Sequence, residues 1–328
     1  MANDLLKDLL KKYEQKKLLA EQNAENKKNK ILNSNPELLN IINNINSLEI
    51  EYAKSILNSD LEKKEKIQNK LLELKNEKEN ILNKLKIKKE DFLPGYECKI
   101  CSDTGYIIEL YDTKMCNCLK QKLFDEQYNK SNINNIEKEN FNCFNLSVYS
   151  DEIDEKKFGS PISPKENILK IKKIVENFIK NFDDPNEKNL LFTGNTGLGK
   201  TFLSNCIAKE LLSKGKTVLY QTAPVMLDTI ISSRFDKNEN LNEIYNNILD
   251  VDLLIIDDLG TECINNMKFT ELFNIINTRL LNQNKTVIST NLSIKNLFST
   301  YDERIVSRFV GNYNICRFFG DDIRFKNK

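Results

Sequence analysis

The sequence predicts an α/β domain built on a parallel sheet with flanking helices, preceded by an α-helical hairpin and a small cysteine-rich module. Three observations carry this reading. From residue 189 on, short apolar runs alternate with stretches of helical pattern. The first run opens into a glycine-rich octapeptide that ends Gly-Lys-Thr. Upstream, four cysteines fall in two close pairs.

Taken in order, residues 1–90 are polar, contain one Pro and no Gly, and repeat apolar residues at three- and four-residue steps. Asn35-Pro36 reads as an N-cap with Pro at the first helical position. Leu38, Ile41, Ile45, Leu48 and Tyr52 then form one stripe. Ile67, Leu71, Leu74, Ile81 and Leu85 form a second, after a turn at Asn58-Ser59-Asp60. Two such helices predict an antiparallel hairpin, either a solvated spacer or a docking surface for a partner. Residues 91–130 hold the cysteine module, and residues 131–162, Asn-rich and irregular, read as a linker. Residues 163–328 form the α/β domain. Ser163-Pro164-Lys165-Glu166 is a capping box that opens a helix with Ile168, Ile171, Val175 and Phe178 on its apolar face. Strands are expected at 189–193, 217–221, 252–256, 286–290 and 313–319. The helices between most of them require parallel crossovers.

The octapeptide is Gly194-Asn195-Thr196-Gly197-Leu198-Gly199-Lys200-Thr201, a phosphate loop between a strand and an amphipathic helix. Its glycines let backbone N–H groups turn toward phosphate oxygens at the positive end of a helix. Lys200 is placed to reach the β- and γ-phosphates of ATP, and the Thr201 hydroxyl to ligate magnesium. The strand Asp252–Ile256 runs into Asp257-Asp258. Asp257 is the expected magnesium carboxylate and Asp258 the residue that orients or activates water, with Glu262 as the runner-up. Asn291, ending the next strand, is the candidate polar contact to the γ-phosphate or the attacking water. Arg304 and Arg308 lie four residues apart on one helix face, and either could serve a neighbouring subunit's ATP as an arginine finger. Twenty residues follow Arg308, too few for a helical lid, and Arg317 or Arg324 could stand in for an arginine borne on one.

Cys98-Lys99-Ile100-Cys101 and Cys116-Asn117-Cys118 match a structural zinc site. With no His in the chain, all four ligands are thiolates. A redox dithiol would account for Cys98 and Cys101 but not for the second pair. Cys143, Cys206, Cys263 and Cys316 are expected to fill apolar positions.

Composition narrows the function. No His means no imidazole base and no His metal ligand. Net charge is +1, so the chain has no global basic field for nucleic acid. Residues 279–328 nevertheless carry nine Lys/Arg against four Asp/Glu. All six Arg lie after residue 230. No run approaches the ~18 apolar residues of a membrane span, and the N-terminus lacks a signal-peptide core. A cytoplasmic protein with reduced cysteines is expected.

These pieces together resemble the bacterial replicative helicase loaders, the DnaC/DnaI group of AAA+ ATPases. The resemblance rests on Gly194–Thr201, Asp257-Asp258-Leu259-Gly260, Ser289-Thr290-Asn291 and Glu303-Arg304-Ile305-Val306-Ser307-Arg308-Phe309. The cysteine module with its following Leu-Lys-Gln is similar to the DnaI branch. The resemblance implies an AAA+ sheet, slow ATP hydrolysis, an N-terminal part that grips the replicative DNA helicase, and binding of single-stranded DNA. It also implies an ATP-dependent homo-oligomer on the helicase. Other readings are a transposition helper similar to the IstB group, a nucleotide-gated adaptor that hardly hydrolyses ATP, and a small-molecule kinase.

Overall fold

The computed structural model describes residues 2–57, 61–110, 112–126, 138–235, 240–262 and 265–325. The chain divides into two compact units, Lys7–Lys114 and one that contains Met115–Lys328.

The first unit is mainly helical. Helices α1 (Ala2–Asn33), α2 (Pro36–Leu57) and α3 (Leu61–Lys84) account for most of it. The expected hairpin is α2 and α3. Ile41 and Ile45 of α2 bury against Ile67 and Leu71 of α3, with Leu48, Tyr52 and Leu74 packed around them. The predicted turn at residues 58–60 lies outside the described residues. The long helix α1 precedes the hairpin, and Leu32 at its end packs with Leu38 and Leu82. Asn35 sits where an N-cap belongs, just before α2, but its amide donates back to the Ile31 carbonyl at 2.7 Å. Its own carbonyl accepts the Leu39 N–H at 3.1 Å, so Asn35 both closes α1 and holds the N-cap position of α2, with Pro36 at the first helical place. A two-stranded hairpin follows, β1 (Tyr106–Glu109) and β2 (Asp112–Met115).

The second unit starts at α4 (Asn117–Phe124). After two short turns and α5 (Glu155–Phe158) comes α6 (Pro164–Lys180), capped as expected by the Ser163 hydroxyl, which accepts from the Glu166 N–H. Next are β3 (Asn189–Thr193), α7 (Lys200–Ser213), β4 (Val218–Thr222), α8 (Ala223–Phe235) and α9 (Asn240–Asp250). The unit ends with β5 (Leu253–Leu259), α10 (Asn266–Leu281), β6 (Lys285–Thr290), α11 (Ile294–Thr300), α12 (Glu303–Asn312) and β7 (Tyr313–Arg317).

The sheet order is β4-β5-β6-β3-β7, and every pairing is parallel. Both faces are covered, so the strands are apolar at successive positions. Leu190 and Phe192 face a core with α6 and α7, whereas Leu191 faces a core with α8, α10 and α12. Phe178, Val175 and Leu203 are wholly buried in the first core, and Ile275 and Phe309 in the second. Burying such a side chain stabilises by about 1.5–3 kcal/mol.

Two regions differ from the sequence reading. The expected linker 131–162 is described from residue 138, and there it packs on the domain. Val148 and Tyr149 are buried in the first core, and Tyr149 donates to the Leu198 carbonyl at 3.2 Å. The second half of the expected 91–130 module also belongs to this unit. Leu119 of α4 is fully buried. The Gln121 amide accepts from the Val218 N–H at 2.8 Å and donates to the Val218 carbonyl at 3.0 Å, pairing with edge strand β4 as another strand would. Among the described residues no helix is long and apolar enough to cross a membrane.

Candidate nucleotide site

The phosphate loop joins β3 to α7, and its glycines are required by its shape. Gly194 has φ 138°, and a Cβ there would stand 2.2 Å from the Phe318 carbonyl oxygen. Gly197 has φ 74°, and a Cβ there would stand 2.2 Å from the Asp322 carboxylate. At Gly194 the backbone contact excludes any side chain, and at Gly197 the positive φ strains any L residue. The loop is a backbone cradle at the N-terminus of α7, the form that polyphosphate binding needs.

Strand order explains the rest. β6 stands between β3 and β5, so the residue leaving β6 lies between the loop and the acidic strand. That residue is Asn291. Its side-chain oxygen accepts from Lys200 Nζ at 2.9 Å, and its nitrogen donates to Asp258 Oδ1 at 3.3 Å. Lys200 Nζ also donates to the carbonyls of Gly194 at 2.6 Å and Asn195 at 2.7 Å, which uses its three protons. Burial pulls the Lys200 ammonium down to about 8, partly opposed by Asp257 and Asp258.

Asp257 is 5% exposed. Its carboxylate accepts from the Tyr220 hydroxyl at 2.5 Å, the Thr201 hydroxyl at 3.1 Å, the Asp258 N–H at 3.0 Å and the Ser289 hydroxyl. Four donors compensate the loss of water around this buried charge. Thr201 and Asp257 thus present adjacent oxygens at the end of the loop, a hard donor set that fits magnesium. Thr201 and Asp257 would hold magnesium, and the ion would neutralise charge on a bound polyphosphate.

The register between β5 and β6 shifts between Ile256 and Leu259, a bulge spanning Asp257-Asp258. Asp258 takes φ 55°, uncommon for a residue with a side chain. A bulge re-aims side chains, and here both carboxylates stay on the loop side of the strand end. Burial and the neighbouring Asp257 raise the proton affinity of Asp258, and the Asn291 amide opposes them. Glu262, the runner-up, is occupied elsewhere: it accepts from the Gly260 N–H at 2.8 Å and from the Tyr301 hydroxyl.

The structure brings Gly194–Thr201, Asp257, Asp258 and Asn291 together. Arg304 and Arg308 stand apart. Arg304 is held by Asp302, with Nε to Oδ1 at 3.1 Å, and Arg308 donates to Asn277 Oδ1 at 3.0 Å. Both guanidinium groups lie over Phe273, at 5.2 and 5.8 Å from its centroid. Arg324 reaches the loop, its guanidinium 3.4 Å from Thr196 Oγ1 and paired with Asp322. Arg317 donates to the carbonyls of Phe158 and Gly159. Tyr220 and Ser289, which also hold Asp257, carry little mark in the sequence. Each is a polar residue at an otherwise apolar strand position, and that was the available signal.

Cys98, Cys101, Cys116 and Cys118 cluster with their sulfurs within 4.8 Å of one another. Ser102 and Asp103 take positive φ, and the Asp103 carboxylate accepts from the N–H groups of Glu97 and Cys98 at 2.9 and 2.8 Å. The chain is thereby folded back around the first pair. Four thiolates at this spacing fit zinc. Of the other cysteines, Cys206 and Cys316 are buried as expected, Cys263 lies outside the described residues, and Cys143 is exposed. Cys143 ends a short 3₁₀ turn on the surface, so its apolar assignment does not hold.

The loop, the paired carboxylates and the bridging Asn define a phosphate-loop ATP-binding domain. Residues 170–328 match the family described as IstB-like ATP binding protein. The replicative helicase loader DnaC of Buchnera aphidicola subsp. Baizongia pistaciae is 30% identical over 165 residues, 49% of this chain and 65% of that protein. DnaC of Escherichia coli K12 is 30% identical over 150 residues, 44% of this chain and 58% of that protein. The matched part therefore spans less than two thirds of these relatives. Among solved structures, a DnaC helicase loader is 21% identical with TM-score 0.45, covering 57% of this chain and 99% of that one. AMPPCP-bound DnaA from Aquifex aeolicus is 26% identical with TM-score 0.42, covering 49% and 50%. Residues 170–328 are thus similar to the IstB-like ATP-binding proteins and to DnaC.

Proposed function

We propose that this chain is a slow AAA+ ATPase that loads the replicative DNA helicase onto single-stranded DNA in replication initiation or restart. The observation that carries the reading is Asn291 bonded at once to Lys200 and Asp258, in a domain similar to helicase loaders. A γ-phosphate on the loop would take over the Lys200 ammonium now shared by two carbonyls and Asn291. Asn291 and Asp258 would then be free to hold a water in line with it, with Thr201 and Asp257 retaining magnesium. Proton uptake by Asp258, favoured by its burial beside Asp257, suits activation of that water. Arg304 or Arg308, on one helix face, would serve the ATP of a neighbouring subunit in an ATP-dependent homo-oligomer. Residues 1–90 would grip the helicase, residues 91–130 would hold zinc, and residues 163–328 would form the motor.

The test is a pull-down of the partner helicase by the full chain, with and without ATP. Retention supports loading, and no retention in either condition overturns it. A transposition-helper role is the second reading, favoured by the IstB-like family match itself. The four-cysteine cluster lies outside that matched region. Freshly purified protein is expected to hold one zinc per chain, and metal analysis finding none would refute the four-thiolate site.

A further inference from the structure

One cavity of the ATP-binding unit adjoins the phosphate loop without reaching the magnesium and γ-phosphate groups. It measures about 530 Å³ and is lined by Gly194, Asn195 and Leu198 but not by Lys200 or Thr201. Two half-buried rings wall it, Phe158 and Phe319, with centroids 5.8 Å apart. The Arg317 guanidinium lies 5.6 Å from the Phe319 centroid, and Lys157 Nζ 4.9 Å from that of Phe158. Lys295, exposed on α11, adds a third cation, and no lining residue is acidic. Lys157 is already paired with Asp321 at 2.5 Å, and Arg317 donates to the neutral carbonyls of Phe158 and Gly159, which leaves its charge, with that of exposed Lys295, to face an anion. Thr193 also lines the cavity. It is 1% exposed, and its hydroxyl has no hydrogen-bond partner among the described residues. A buried hydroxyl left unpaired is costly unless a ligand completes it.

We propose that this cavity seats one nucleotide unit of a single DNA strand, its base on Phe158 and Phe319 and its phosphate toward Arg317 and Lys295. Aromatic faces flanked by cations grip a strand without reading its sequence, because every base has a π-face. The volume falls within the range of small-ligand sites. The site rests on the single-strand binding proposed above and gives it a location. A base is also carried by ATP, so the two sources must be separated.

The experiment measures fluorescence anisotropy of a labelled 15-nucleotide oligo-dT, and of a fluorescent ATP analogue, on the full chain. Phe158→Leu is expected to weaken oligo-dT binding about tenfold and to leave ATP affinity unchanged. Lys295→Ala, at an exposed position, is expected to reduce the salt slope by about one. Thr193→Val removes an unpartnered hydroxyl, so the fold survives while oligo-dT binding weakens. If wild type binds oligo-dT and all three variants bind it equally, the cavity is the wrong place and the single-strand reading stands. If Phe158→Leu weakens ATP and not oligo-dT, the cavity seats ATP's own base and the proposal fails. If wild type binds no oligo-dT, both the cavity and the single-strand part of the proposed function fall, and helicase retention still judges the rest.

Discussion

The helical unit and the ATP-binding unit draw on the same Lys-rich composition and use charge in opposite ways. In the helical unit the charges are exposed and meet in single pairs, such as Lys75–Glu49 at 2.8 Å with about half of each side chain in water. In the ATP-binding unit the charges that matter are buried and multiply bonded. Arg279 is fully buried, and its guanidinium donates to the carbonyls of Ile248, Leu249, Val251 and Lys285 and to the Thr286 hydroxyl. Burial pulls it down to about 9. The difference teaches that the number of charges says little about stability. What counts is how many partners each one would abandon.

Arg279→Ala tests this most severely. It strands several buried carbonyls at ~1–3 kcal/mol each, so a loss on the order of 4 kcal/mol or more is expected in urea unfolding. A loss under about 1 kcal/mol would mean the carbonyls find water and the contrast is false. Lys200 comes next, with two opposite pH signs. Its folded-state affinity for protons lies below the unfolded value of 10.5, near 8. The cost of burying the ammonium is fully present below pH 8 and is relieved as pH rises toward 10.5. Unliganded wild type is therefore expected to gain stability across that window relative to Lys200→Ala. ATP affinity should move the other way, falling as pH rises through about 8, because the phosphates need the charged form. Lys200→Ala should abolish ATP binding or turnover, and unchanged turnover would refute the loop assignment. The smallest effect belongs to the helical unit: Lys75→Ala should shift stability by no more than ~0.5 kcal/mol. A larger loss would show that surface pairs there act as a network.

What the sequence made legible was local. The loop glycines declare themselves because positive φ is a property of one residue, and Asp257-Asp258 because two carboxylates end an apolar strand. Asn291 was legible as a strand-ending polar residue, but its bridging position follows from β6 lying between β3 and β5. Tyr220 reaches Asp257 across 37 residues because β4 pairs with β5, a neighbour relation that alternation cannot reveal. Arg279 enters the sequence reading only as one of six Arg, because nothing local marks it as buried. Its burial depends on where α9 ends and β5 begins. The packed stretch after residue 138 read as a linker because it has turns but no period, although Val148 and Tyr149 anchor it.

Gln121 carries a consequence of a different kind. A parallel sheet ends in a row of backbone groups that invite another chain, and β4 is such an edge. The Gln121 amide, borne on a helix, occupies both groups of Val218 and so imitates the next strand without being one. Run-on pairing between copies is blocked at that point by one side chain. The protection is colloidal rather than catalytic: it favours association through surfaces the protein can regulate over edge-to-edge growth that it cannot reverse.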